Sequence, residues 1–335
     1  MPKTTPNETS AWERFDGIDI EGAARELDGV ISRTPLRPHV TTDGRVELRL
    51  KLENRQETGA FKARGAWNQV RQLGPDERAL GVVACSSGNH GKALAWAARR
   101  AGVAATIVMP QDAYPNKIEA CRELGAEVVL AETREAAEAL VAERADAGAL
   151  QVHPYDSERT IAGAGTVGLE IAEEWPEVEL VVIPVGGGGL CAGSSLALRR
   201  KLGKEVRIVA VEPAGAATLE RALAAGRPEI LHEITTDVQG LCPLACGELN
   251  HEILATTLDH NALLEDPLIF GAQKHLVQAG EVVEPAGAAA TAFVLNLLPE
   301  EWLAGRDAGN PLRVCAIVSG GNPDPVQLAA LRDNP

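Results

Sequence analysis

Short β-branched runs alternate along this chain with Ala-rich stretches that carry charges at helical spacing. The segments 81–85, 105–109, 127–130, 180–185, 207–211 and 313–318 read as strands. The stretches between them, such as 91–101 and 118–124, read as helices that cover both faces of a mostly parallel sheet. The pattern predicts an α/β fold with binding sites at the carboxyl ends of strands. At 335 residues the chain exceeds the size of a single core, which predicts two lobes meeting at a cleft. The Ala-rich stretch 131–150 keeps charges at helical intervals and is read as an ordinary helix; no internal repeat is evident.

A formal charge of −15 repels nucleic acid and anionic membrane surfaces, so a small molecule is the expected partner. The first residues lack the basic and apolar segments of a secretory leader, and no apolar run is long enough to cross a bilayer, which predicts a cytoplasmic protein. The six cysteines are scattered through apolar segments and read as reduced core residues. Cys242 and Cys246 are the one close pair; without a second Cys/His pair at ligand spacing they read as core rather than zinc ligands.

Two strand-to-helix junctions carry unusual chemistry. After 180–185 come Gly186, Gly187, Gly188 and Gly189, then a helical pattern. Four glycines in a row are conformationally expensive and are kept where backbone must pass very close to something or adopt positive φ. At a helix N-terminus they turn several N–H groups toward one point, which suits a phosphate; the alternative is a flexible turn. No Gly-Lys-Ser/Thr follows, and no G-x-G-x-x-G with a later ribose-binding acid is present, so a nucleotide loop is disfavoured. After 81–85 come Ser86, Ser87, Gly88, Asn89, His90 and Gly91, a cradle for a carboxylate or an ordinary helix cap.

Lys62 lies in Glu57-Thr58-Gly59-Ala60-Phe61-Lys62-Ala63-Arg64-Gly65-Ala66, where Thr58 or Gly59 is expected to open a helix. A lone lysine near a helix start is ordinarily a solvated charge. Here small residues surround it, as a residue joined to a flat ring requires, and a desolvated lysine loses its proton more readily and attacks carbonyls.

Taken together, these segments resemble the serine/threonine dehydratase and serine racemase family of fold-type II pyridoxal-phosphate enzymes. The resemblance runs over nearly the whole chain: Thr34-Pro35-Leu36, TGAFKARGA, SSGNHG, MP followed by Lys117, HPYD, AGAGTVGLE, PVGGGGL, VEP, EPAGAA and SGGN. It implies a two-domain, tryptophan synthase β-like architecture, with residues 1–53 and 156–335 forming a large cofactor-binding domain and 54–155 a small mobile one. It further implies that Lys62 holds pyridoxal 5'-phosphate as a Schiff base with Phe61 against the ring, and that Gly186, Gly187, Gly188 and Gly189 bind the phosphate. Asn89 would bond the ring hydroxyl, Ser319 would face the pyridine nitrogen, and Gly240 and Glu284 would line the site near the ring. Ser86, Ser87 and the backbone of Gly88, Asn89 and His90 would hold the substrate carboxylate, with Ser87 also a candidate proton carrier on the ring face opposite Lys62. The implied reaction is elimination from a small β-hydroxy amino acid such as serine, threonine or 3-hydroxyaspartate, giving a keto acid and ammonia. The freed amine of Lys62 takes the Cα proton, and either the cofactor phosphate or protonated Lys62 supplies the proton for the departing hydroxyl.

The alternatives are an amino-acid racemase with side elimination and, from another class, a non-catalytic amino-acid sensor. Several positions depart from the family pattern. Ala60 stands where a serine is common, and the wall Asp237-Val238-Gln239-Gly240 runs into Leu241-Cys242-Pro243-Leu244, so threonine is not assumed. The divalent cation of many relatives would fall to Glu212 and Ala216, but the third position is Thr218, a poor ligand for a hard cation. Arg134 stands where the racemase branch has a functional arginine, and reads equally as a surface helix residue. The chain ends soon after SGGN, so no regulatory domain and no control by isoleucine are expected, whereas a homodimer is.

Overall fold

The computed structural model describes residues 11–333. The parts of the expected large domain at 1–10 and 334–335, and the start of the segment searched for a leader, lie outside them. Ten strands build two sheets: β1 (Leu36–His39), β2 (Val46–Lys51), β3 (Val82–Cys85), β4 (Ala105–Pro110), β5 (Glu127–Ala131), β6 (Leu150–Gln151), β7 (Leu180–Pro184), β8 (Arg207–Pro213), β9 (His260–Leu264) and β10 (Leu312–Ile317). The larger sheet has the order β1-β2-β10-β7-β8-β9 and is parallel except for β1, which runs antiparallel to β2. The smaller, β5-β4-β3-β6, is wholly parallel.

The six strands expected from the sequence are β3, β4, β5, β7, β8 and β10. The other four, β1, β2, β6 and β9, were not expected. β2 reads VELRLK, yet it pairs with β10 inside the sheet, because its charges are matched by neighbours: Lys51, fully buried, meets Glu170 at 2.6 Å, and the Arg49 guanidinium lies 4.0 Å from the Trp175 ring centroid. β1 contains Pro38 and sits at the edge, where a missing N–H costs nothing; β6 is two residues long.

In β7, Leu180, Val181, Val182 and Ile183 are fully buried, so the strand leading to the glycines is held from both faces. Its two flanking helices, Glu158–Glu174 and Gly189–Leu202, touch backbone to backbone. A Cβ added at Gly168 would stand 2.3 Å from Ser194 O, and one added at Gly193 would stand 2.3 Å from Ile161 O. No side chain fits there, which accounts for Gly168 of AGAGTVGLE and for Gly193 in physical terms. All six cysteines are free; Cys121, Cys191, Cys246 and Cys315 are buried, and Cys242 is not joined to Cys246. No helix among the described residues is long and apolar enough to cross a membrane.

Candidate active site

Lys62 opens the helix Lys62–Val70. The helix begins later than Thr58 or Gly59 because Gly59 takes φ +76 and Ala60 bridges Gly320, which holds this stretch extended against the end of β10. Phe61 N donates to Ser319 O at 3.1 Å, so Lys62 and Ser319 are brought together by backbone. The Lys62 amine, partly shielded from solvent, donates to Pro154 O at 2.7 Å and lies 5.0 Å from the Phe61 ring centroid and 6.0 Å from that of Tyr155. Burial pulls its pKa down to about 8.

The helix that carries Lys62 is anchored by a buried charge cluster. Arg64, 1% exposed, donates to both oxygens of Glu53 at 2.8 Å and to Glu170 at 2.6 and 2.9 Å. Two acids facing one guanidinium hold it firmly charged, and the fork geometry fixes where the next-but-one residue, Lys62, begins its side chain.

The glycine turn meets the same wall. Gly188 caps the helix Gly189–Leu202 at φ +99; no side chain caps this terminus and no acid lies in its first turn. A Cβ at Gly187 would lie 2.3 Å from the Tyr155 ring, one at Gly189 would lie 2.6 Å from Tyr155 O, and one at Gly188 would lie 2.8 Å from Asn250 Cβ. Gly187 O accepts from Asn250 Nδ2 at 2.8 Å and from Gly247 N at 3.1 Å. Close approach of protein to the loop therefore requires these glycines independently of any ligand.

The HPYD segment is the hub. Pro154 O receives Lys62, Tyr155 packs on the glycines, and His153 Nδ1 accepts from Asp156 N at 2.8 Å. Asp156 in turn caps the helix Glu248–Thr257, accepting from Glu248 N at 2.9 Å and Leu249 N at 3.1 Å, and that helix supplies Asn250. Pro154, Tyr155, Asp156, Asn250, Arg64 and Glu53 were not singled out from the sequence as site residues.

Gly240, at φ +96, adjoins the turn: a Cβ at Gly186 would lie 3.2 Å from Gly240 O. Glu284 is buried, which raises its pKa; Asn89 Nδ2 donates to its Oε1 at 2.5 Å. Ser319, 5% exposed, has its hydroxyl 3.4 Å from Ala286 O. Ser86 Oγ accepts from Gly91 N at 3.1 Å and Gly88 N at 3.3 Å, the helix-capping arrangement, while its O–H remains free to donate. Ser87 is exposed. The His90 ring turns away from this group: buried, with Nε2 2.9 Å from Val152 O, it has its pKa pushed down to about 3 by burial and by the charge of Lys62.

A cleft of about 1030 Å³ is lined by Ser87, Gly88, Asn89, Gly240 and Glu284. Lys62, Ser319 and the four glycines are not among its lining residues; the glycine turn adjoins the lining through Gly240, whose O lies 3.2 Å from a Cβ placed at Gly186. Arg134 and Lys117 also reach the cleft, Arg134 being paired with Glu138 at 3.3 Å on its own helix.

At the proposed cation position, both oxygens of Glu212 are taken by donors: Leu219 N at 2.7 Å, Glu220 N at 2.9 Å, Asn261 Nδ2 at 3.1 Å and Thr218 Oγ1 at 3.2 Å. Ala216 sits in the adjoining turn Ala214–Ala216. This carboxylate is satisfied by hydrogen bonds, and Thr218 Oγ1, also 3.2 Å from Gly186 O, ties it to the glycine turn. Among the described residues no group of three or more His, Cys, Asp or Glu is disposed to hold a metal ion.

Comparison with known proteins gives the family. Residues 27–320 match the model of a family described as pyridoxal-phosphate dependent enzymes. An L-threonine ammonia-lyase of Thermotoga maritima is 39% identical over 313 residues, covering 91% of this chain and 75% of the relative. A serine racemase of Oryza sativa subsp. indica is 33% identical, covering 92% and 94%. The solved structure of maize serine racemase superposes with a TM-score of 0.84 at 32% identity, covering 93% of this chain and 94% of that one. With the family model spanning most of its length, the chain belongs to the pyridoxal-phosphate dependent enzymes.

Proposed function

We propose that this enzyme eliminates the hydroxyl of a small β-hydroxy amino acid, releasing a keto acid and ammonia, with Lys62 holding the cofactor and moving the Cα proton. The observation that carries the reading is the Lys62 amine, turned inward onto Pro154 O beside the glycine turn, with its pKa brought down to about 8. An amine in that range is mostly protonated at pH 7 but keeps roughly a tenth of its population as free base, far more than an ordinary lysine. That fraction serves first as a nucleophile toward an aldehyde and then as a base, a positioned proton transfer worth on the order of 10²–10⁴ in rate.

The residues present fit pyridoxal phosphate. The uncapped N-terminus at Gly189, free of acids, suits a phosphate. The Phe61 ring beside Lys62 suits a flat ring, the Asn89 amide suits a ring oxygen, and the buried Ser319 hydroxyl suits a pyridine nitrogen. When bound, the cofactor supplies an aldehyde for the substrate amine and a ring that draws electrons from Cα.

In this reading Ser319 brings a neutral hydroxyl rather than a carboxylate to the ring nitrogen, which favours prompt loss of the β-substituent over a persistent negative charge at Cα. The O–H groups of Ser86 and Ser87, with the N–H groups that open the helix Asn89–Ala101, orient the substrate carboxylate. Lys62 takes the proton from Cα. Residues 54–155, which carry the smaller sheet, close over the cleft on the remainder of the chain and exclude water. The reading implies a cytoplasmic enzyme, and a dimer is tested by light scattering, which should give twice the chain mass.

Racemisation accompanied by elimination is the second reading. Ser87 favours it: its hydroxyl is exposed, borders the cleft and has no hydrogen-bond partner among the described residues, which leaves it free to carry a proton. The test is a panel of β-hydroxy amino acids in both configurations, scored for keto acid, ammonia and inverted substrate, with borohydride labelling of the holoprotein. Keto acid with ammonia and a label on Lys62 are expected. Inversion alone would replace elimination by racemisation, and a label on another residue would overturn the whole assignment.

A further inference from the structure

We propose that Lys92 is a positioning residue: it sets the direction of a hydrogen-bond chain that ends by presenting the amide N–H of Asn89 to the active site. The chain begins one turn into the helix Asn89–Ala101, where Lys92 Nζ donates to Asn322 Oδ1 at 2.9 Å. An ammonium group has donors only, so the amide facing it must present oxygen. The NH₂ of Asn322 then points the other way and donates to Thr58 O at 3.0 Å and Asn89 Oδ1 at 2.8 Å. A carbonyl such as Thr58 O can only accept, so both ends impose the same direction. With its oxygen engaged, Asn89 turns its NH₂ to Glu284 Oε1 at 2.5 Å.

Neither amide has a steric reason to prefer this orientation, since oxygen and NH₂ are alike in size; the end groups decide it. Lys117 Nζ reaches the backbone O of Asn322 at 2.6 Å and so anchors the residue without choosing its direction. The cluster is half-buried, and the Lys92 charge faces Lys117 and Glu284, which keeps it within a contest of opposite fields. Were the chain reversed, Asn89 would turn its carbonyl oxygen toward the Glu284 carboxyl and toward the ring oxygen of a bound cofactor.

The inference rests on Asn89 as a contact to the cofactor, and the test separates the two ideas. Holoproteins of wild type, Asn322→Asp, Lys92→Met and Lys92→Arg are compared by thermal midpoint, by the absorption spectrum of the bound cofactor and by the pyridoxal phosphate concentration giving half-saturation. Asn322→Asp keeps and strengthens the contact with Lys92 but cannot donate to Asn89. It should hold its thermal midpoint, yet need ~10-fold more pyridoxal phosphate, the effect of losing one well-placed hydrogen bond, and show a displaced absorption band. Lys92→Met should weaken the cofactor severalfold, and Lys92→Arg, again a pure donor, should restore it. A role confined to bridging the two sheets predicts the opposite for Asn322→Asp: unchanged spectrum and unchanged half-saturation, which would overturn the inference. If Asn322→Asp does not fold, equal behaviour of Lys92→Met and Lys92→Arg would overturn it instead. Failure of wild type to bind pyridoxal phosphate at all would sink the proposed function.

Discussion

Lys62→Met should make the cofactor-free protein more stable at neutral pH while abolishing turnover. Lys62 carries its charge into a shielded position, and its pKa falls from 10.5 to about 8. A depression of that size corresponds to a penalty of about 3 kcal/mol for the charged form, and residual solvent contact trims it to about 2–3 kcal/mol. Methionine has a similar length and no charge, but it leaves Pro154 O without its donor, a loss of about 1 kcal/mol. At pH 7 both native and unfolded wild type are protonated, so the native state bears the full penalty and the variant should gain ~1–2 kcal/mol. As pH rises above about 8 the native lysine sheds its proton while the unfolded one keeps it until about 10.5; wild type therefore recovers stability across this window. By pH 10 about 2 kcal/mol of the variant's advantage should have vanished, bringing the two proteins level or reversing their order. Urea unfolding of both cofactor-free proteins at pH 7 and pH 10 measures this directly. A difference that does not change with pH would refute the idea that desolvation of Lys62 is what primes it.

Three further outcomes follow from the packing. Gly187→Ala places a methyl 2.3 Å from the Tyr155 ring, so half-saturation by pyridoxal phosphate should rise by at least ~10-fold; a variant that saturates like wild type would mean the turn is slack. Arg64→Met removes the ion-pair partner of the fully buried Glu53 and leaves Glu170 to Lys51 alone, and should cost about 3–5 kcal/mol in urea unfolding; a loss under about 1 kcal/mol would show that water replaces the guanidinium. His90, held neutral down to about pH 3, should make native stability fall by about 1.4 kcal/mol per unit as pH drops from 6.5, because the unfolded chain protonates first; His90→Gln should flatten that slope, and an identical acid profile would contradict it.

Much of this architecture was legible in the residue order, and the parts that were not share a cause. Consecutive apolar residues at 180–185 can satisfy only a strand covered on both faces, so β7 and the turn after it were readable locally. β2 was not, because Lys51 and Arg49 look solvated until Glu170 and Trp175, more than a hundred positions away, are placed beside them. Arg64 was missed for a related reason, since Glu170 lies more than a hundred positions away and Glu53, though near in sequence, meets it only once the fold is formed. The glycines 186–189 were read as close approach to a phosphate; the structure adds Tyr155 and Asn250 as neighbours that tolerate no side chain. Asn250, in the unremarkable run ELNHE, had no local signal at all. Ser86 could be read as a helix cap or a carboxylate cradle, and the fold shows the cap, leaving its O–H for the other role.

The backbone contact between Glu158–Glu174 and Gly189–Leu202 bears on how such an enzyme can diversify. Helices meshed main chain to main chain cannot slide or roll to accommodate a bulkier residue, so the floor under the glycine turn tolerates almost no variation at Gly168 or Gly193. Laboratory selection for new substrates should therefore leave that floor untouched and accumulate its changes at Gln239 and Cys242, which line the cleft.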